Sequence, residues 1–120
     1  MRVLICGGRD YAGRSKLSEV LDRLHRERPF TCLIQGGARG ADDLARLWAK
    51  RVGVAGLQFD ADWQTHGKAA GFRRNGEMLT EGRPDLVVAF PGGRGTADMI
   101  RQSRAAGVAV WDVELEEMLS

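Results

Sequence analysis

The sequence predicts an α/β fold: a single three-layer Rossmann-like domain over residues 1–120, with a five-stranded, mostly parallel sheet in the order 3-2-1-4-5. Two observations predict it. Short apolar runs alternate along the whole chain with stretches whose apolar residues recur at helical spacing, the pattern of repeated strand–helix–strand units. Three of those runs end in a glycine pair followed by an arginine: Gly7-Gly8-Arg9, Gly36-Gly37-Ala38-Arg39 and Gly92-Gly93-Arg94. With right-handed crossovers, strands 1 and 4 flank the switch point of such a sheet, where ligands bind.

The elements follow in order. Val3-Leu4-Ile5-Cys6 reads as a strand covered on both faces. After a loop over Gly7–Gly13, Leu17, Val20, Leu21 and Leu24 define the inner face of a helix closed by Pro29, with His25 on its outer, solvated side. Thr31–Gln35 is the second strand. The next helix turns Ala41, Leu44, Ala45, Trp48 and Val52 inward and stops at Gly53. Ala55–Ala61 is a third strand, with Leu57 and Phe59 alternating against polar neighbours. A polar loop spans Asp62–Lys68, and a helix runs from about Ala69 to Glu81, ended by Gly82 and Pro84. Asp85–Phe90 is the fourth strand, and the helix after it has Thr96 as a cap and Gly107 as its end. Val108–Val113 is the fifth strand, and Glu114–Leu119 adds a last helical turn or two.

Composition narrows the function. An apolar share of 43% and a charged share of 28% are ordinary for a soluble globular domain. No apolar run reaches the roughly 20 residues that a membrane helix needs, and Met1-Arg2 leads into a strand, so the expected location is cytoplasmic and no membrane partner is expected. Cys6 and Cys32 both fall in strands without metal-ligand spacing and read as reduced core residues. His25 and His66 stand apart with no ligand cluster, so no metal site is expected. The net charge of +2 is too small to require a large nucleic-acid footprint.

Local charge is more informative. Paired glycines let backbone N–H groups approach a ligand, and a helix N-terminus behind them adds partial positive charge. The candidate phosphate cradle is Gly92, Gly93, Arg94, Gly95 and Thr96, faced across the switch point by Gly7, Gly8, Arg9 and Asp10. Gly36, Gly37 and Arg39, one strand farther out, support or extend it. Arg9, Arg39, Lys68, Arg73, Arg74 and Arg94 supply the charge if they meet in space. Trp63 is a candidate for stacking on a base, and Arg74 or Asn75 for reaching a phosphate or sugar. Asp42 and Asp98 read as first-turn carboxylates favoured by the helix dipole, with a ribose contact or an arginine-orienting ion pair as alternatives. Cofactors are not expected. Cys6-Gly7-Gly8-Arg9-Asp10-Tyr11 has no third glycine at the dinucleotide spacing, Gln35 stands where an acidic residue would hold a ribose, and no Walker loop occurs.

With these motifs placed, the chain resembles the SLOG superfamily, the Rossmann-like group that includes the LOG phosphoribohydrolases, the DNA-processing protein DprA and the YspA/YpsA-type domains. The resemblance covers nearly the whole chain. It is carried by Gly7–Tyr11, Gly36–Asp42, Ala61-Asp62-Trp63, Arg74-Asn75 and Phe90–Thr96, and is closest to the compact YspA-type members. It implies binding or sensing of a nucleotide or a nucleotide-derived phosphorylated small molecule. The LOG signature PGGxGTxxE, preceded by a helical arginine, implies an alternative: hydrolysis of the N-glycosidic bond of a nucleoside 5′-monophosphate, with Arg74 and Asp98, or Asp10, as candidate catalytic residues. Met99 stands where that signature has its glutamate, and one residue is about 100° of helix rotation. The DprA-like Gly36–Asp42 stretch implies a second alternative, a single-stranded DNA-binding module, against which stand the modest charge and an aromatic share of 7%. The LOG resemblance also implies a homodimer or larger homo-oligomer, with surfaces around Trp48 and Met78 as candidate interfaces.

Overall fold

In the computed structural model, which describes residues 1–119, every strand pairing is parallel and the five strands lie in the order β3-β2-β1-β4-β5. The chain runs β1 (Arg2–Cys6), α1 (Arg14–Glu27), β2 (Cys32–Gln35), α2 (Ala41–Val52), β3 (Gly56–Gln58), α3 (Trp63–His66), a 3₁₀ turn (Gly67–Ala69), α4 (Ala70–Thr80), β4 (Leu86–Ala89), α5 (Arg94–Ala105), β5 (Ala109–Asp112) and α6 (Val113–Leu119). The fold class and strand order are those predicted. None of the described helices is long and apolar enough to cross a membrane.

The alternation of strand side chains divides the core into two layers. Val3, Ile5, Leu33 and Val88 face Leu17, Leu21, Ala45 and Trp48 of α1 and α2. Leu4, Cys6, Ile34 and Val87 face Met78 of α4 and Met99 of α5. Each fully buried aliphatic side chain contributes about 1.5–3 kcal/mol, so β1 and β4, apolar on both faces, anchor the centre of the sheet. Both cysteines are buried and free. Gly53 ends α2 in the left-handed conformation at φ 79°, as expected.

Several expectations need correction. Asp62–Lys68 is not a loop: Asp62 Oδ1 accepts the Thr65 N–H at 3.1 Å and caps the short helix α3, which runs into the 3₁₀ turn. β3 is shorter than Ala55–Ala61, because its partner strand β2 ends at Gln35, opposite Gln58. Val52 lies on the exposed side of α2. His25 is not merely solvated. Its Nδ1 accepts the Phe30 N–H at 3.0 Å, and its ring stands edge-on to Phe30 and Trp48. Trp48 is core, its Nε1–H donating to Asp22 at 2.8 Å, and Met78 is also buried, while the exposed apolar side chains near Trp48 on α2 are Leu47 and Val52. Gly93, not Thr96, is the N-cap of α5, and Asp98 lies beyond the first turn of that helix.

Candidate functional site

The glycine turns meet above the C-terminal ends of β1, β2 and β4, and what approaches their backbone is chiefly each other. Gly8 N–H donates to Pro91 O at 2.9 Å, while Gly8 O accepts the N–H groups of Tyr11 and Ala41, both at 3.2 Å. A Cβ on Gly7 would lie 2.5 Å from Ala41 Cβ. One on Gly40, whose φ is 78°, would run into Gly8 O, and one on Gly92 would collide with Thr96 Oγ1. These glycines lock three loops together.

The second turn is closed from within. Gly37 N–H donates to Gln35 Oε1 at 2.6 Å, and Ala38 N–H to Asp42 Oδ2 at 3.2 Å. Gly36 O accepts from Arg74 Nη1. The Gly37 and Ala38 amides are thus engaged within the turn rather than turned toward an anion. The helix after the third turn, α5, starts with no side-chain cap, as α2 does, and the N–H groups of a first helical turn have no intrahelical acceptors.

The first turn of α5 opens onto a cleft of about 340 Å³. Gly7, Gly8, Arg9, Arg74 and Asn75 line it together with Trp63, Gly93, Arg94, Gly95 and Thr96, as the sequence grouped them. On α4, Gly71, Arg74, Asn75 and Met78 present one helical face to it. A second lobe of about 390 Å³ shares Arg9, Ala38, Trp63 and Arg74 and adds Gly36, Gly37, Arg39 and Asp60. The Arg9 guanidinium lies 5.2 Å from the centre of the Trp63 ring, a cation–π contact between the lobes worth about 0.5–1 kcal/mol when exposed.

Three predicted residues do not line either lobe: Asp10, Gly92 and Asp98. Asp10 forms an exposed ion pair with Arg39 at 3.5 Å. The Asp98 carboxylate is buried and taken, by Asn75 at 3.1 Å, by Gln102 at 2.6 Å and by Arg101. Asn75 Nδ2 also donates to Gly95 O at 3.1 Å, so this group braces α4 against the start of α5. Arg73 of the expected cationic set is not among the lining residues.

Seven residues that line the first lobe are not among the site residues expected from the sequence: Cys6, Ala38, Asp42, Lys68, Gly71, Phe72 and Met78. Lys68 was legible as a local cation, and Phe72 as an apolar residue out of phase with the α4 core face. The sequence offers Asp42 as a dipole partner, with a ribose contact or an arginine-orienting ion pair as alternatives, but does not show that it is buried in the cleft wall. Burial pushes its carboxyl up to about 6, although the Ala38 and Gly36 backbone N–H groups and the charges of Arg74 and Arg9 pull the other way. Burial, with Asp42 and Asp112 nearby, pushes the Cys6 thiol up as well, which leaves it without thiolate character at neutral pH. Among the described residues no cluster of His, Cys, Asp and Glu could hold a metal ion.

A doubly wound parallel sheet with a charged, aromatic-rimmed cleft at its switch point defines a Rossmann-like domain. The chain belongs to the YspA, cpYpsA-related SLOG family, whose model matches residues 1–66, from β1 through α3. It is also 42% identical to the Gene 61 protein of Mycobacterium phage D29, with 91% of this chain and 93% of that protein covered.

Proposed function

We propose that the protein binds a nucleotide, or a phosphorylated small molecule derived from one, in the cleft between β1 and β4. One observation carries the reading: the uncapped first turn of α5 opens onto the same cleft as Arg9, Lys68, Arg74, Arg94 and the exposed Trp63. Helix-terminus attraction supplies about 0.3–2 kcal/mol for an anion, so the side-chain cations carry most of the phosphate affinity. Trp63 and Phe72, both about half exposed at 48% and 46%, offer ring faces to a base at the mouth.

The test is calorimetry and thermal shift with nucleoside monophosphates, NAD and ADP-ribose, with chromatography for released base. Binding without turnover, weakened about tenfold or more by Arg94→Ala, supports the reading. No melting shift with any of these compounds, and an unchanged Arg94→Ala protein, would remove it. The presence of Arg74 in the cleft favours a second reading, N-glycosidic hydrolysis, for which release of free base is the required result. Asp98 lies outside the cleft and takes no part in either reading.

A further inference from the structure

Asp42 is a buried carboxylate in the cleft wall. It is 7% exposed, yet it lines the cavity beside Arg9 and Arg74. A site built for a bare anion gains nothing from a carboxylate there, since like charges in a partly desolvated cleft repel. The Ala38 N–H accounts for part of its hydrogen-bonding capacity, and the Gly36 N–H also faces it. An ionised carboxylate can accept about four hydrogen bonds, so capacity remains on the side that meets the cavity, and only a donor can use it.

Depth decides which part of a nucleotide supplies that donor. The aromatic faces of Trp63 and Phe72 are at the exposed mouth, and the phosphate-ready amides belong to α5. Asp42 is on the buried wall, at the start of α2, with Gly36 between it and the Arg74 guanidinium: a Cβ on Gly36 would lie 3.0 Å from Asp42 Oδ2 and 2.5 Å from Arg74 Nη1. The moiety between base and phosphate is the sugar, whose hydroxyls are donors.

We infer that Asp42 reads the sugar of the ligand: its carboxylate accepts hydrogen bonds from ribose hydroxyls, so the cleft selects ribonucleoside phosphates over dideoxy analogues and over inorganic phosphate. This rests on the nucleotide reading above. A sugar without hydroxyls leaves the cavity-facing lone pairs of the carboxylate with neither water nor donor, a situation that polar sites reject strongly.

The probes are AMP, 2′,3′-dideoxyadenosine 5′-monophosphate and inorganic phosphate, titrated calorimetrically into the wild-type chain and Asp42→Asn. In the wild type AMP binds at least about tenfold more tightly than the dideoxy compound, the effect of one hydrogen bond to a charged group. In Asp42→Asn that ratio shrinks to about threefold or less, the strength of a neutral hydrogen bond, while the dideoxy compound binds as well as before or better. Equal wild-type affinity for the two nucleotides overturns the assignment while leaving nucleotide binding intact. So does a ratio unchanged by Asp42→Asn in a variant that keeps its melting transition. Failure of all three probes to bind overturns both. The wild-type comparison needs no variant, so a poorly folded Asp42→Asn protein does not remove the test.

Discussion

Burial moves the Asp42 carboxyl from its ordinary value of 3.8 to about 6, so between those pH values the folded chain retains a proton that the unfolded chain has released. Stability therefore falls as pH rises through that window, and the full cost of the ionised group is present above about 6. Arg74 on α4 and Arg9 on the loop before α1 face the carboxylate and reduce that cost without cancelling it. Asp42→Asn keeps an oxygen for the Ala38 amide and has no charge to bury. Relative to wild type it should gain on the order of 2–3 kcal/mol between about pH 4 and pH 7, by urea unfolding at each pH. A pH-independent difference between the two proteins would contradict the burial argument. A steric prediction stands beside it. Gly7→Ala places a methyl 2.5 Å from Ala41 Cβ and 3.0 Å from Phe90 Cβ, both in the packed core. It should lower unfolding stability by about 1–3 kcal/mol, whereas Gly93→Ala, with open space at the same atom, should cost little.

At the scale of elements, the start of α5 is held in place by α4. Asn75 reaches Gly95 O and Asp98 with the same amide nitrogen, and Gln102 donates to both Asp98 and Phe72 O. Asp98→Ala strips one of the two acceptors of the buried Asn75 amide and the acceptor of Gln102 Nε2, and should cost about 1–3 kcal/mol of stability. Combined with Asn75→Ala, the losses should be clearly less than additive in a double-mutant cycle, with a coupling of about 0.5–3 kcal/mol. Additive losses would mean the two side chains act separately. The strands were legible in the sequence, since Val3–Cys6 and Leu86–Ala89 are apolar on both faces and only a central parallel strand needs that. α3 was not: four residues show no periodicity, and the Asp62-to-Thr65 cap was masked by polar neighbours and Gly67. His25 follows Leu24 at the border of the inner face of α1, where periodicity cannot decide between water and Trp48. The glycine pairs announced close backbone approach correctly but could not say whose backbone. At Gly7, Gly8 and Gly92 it is a neighbouring turn, and that knowledge requires the sheet order in three dimensions. The burial of Asp42 was hidden for the same reason, because it depends on α4 folding over the second turn, where Arg74 donates to Gly36 O.

At the scale of the molecule, the cleft is assembled from both sides of the switch point. Arg9 follows β1, Ala38 and Asp42 lie at the start of α2, Trp63 and Arg74 come from α3 and α4, and Arg94 to Thr96 open α5. These segments are far apart in sequence and are joined mainly by loop hydrogen bonds such as Gly8 N–H to Pro91 O. Local opening of such loops needs less free energy than global unfolding, because few buried apolar contacts must be broken. A nucleotide that touches all of them therefore suppresses several independent openings at once. With AMP at about 100 times its dissociation constant, global stability should rise by about 2.7 kcal/mol. Hydrogen exchange should slow together in the segments Gly36–Asp42, Trp63–Asn75 and Gly93–Thr96. α1 and β5, which contribute nothing to the cleft lining, should gain protection only through the global term. Protection confined to Gly93–Thr96 would instead describe a phosphate held by α5 alone, with the sugar and base in water, and the bridging geometry would then be wrong.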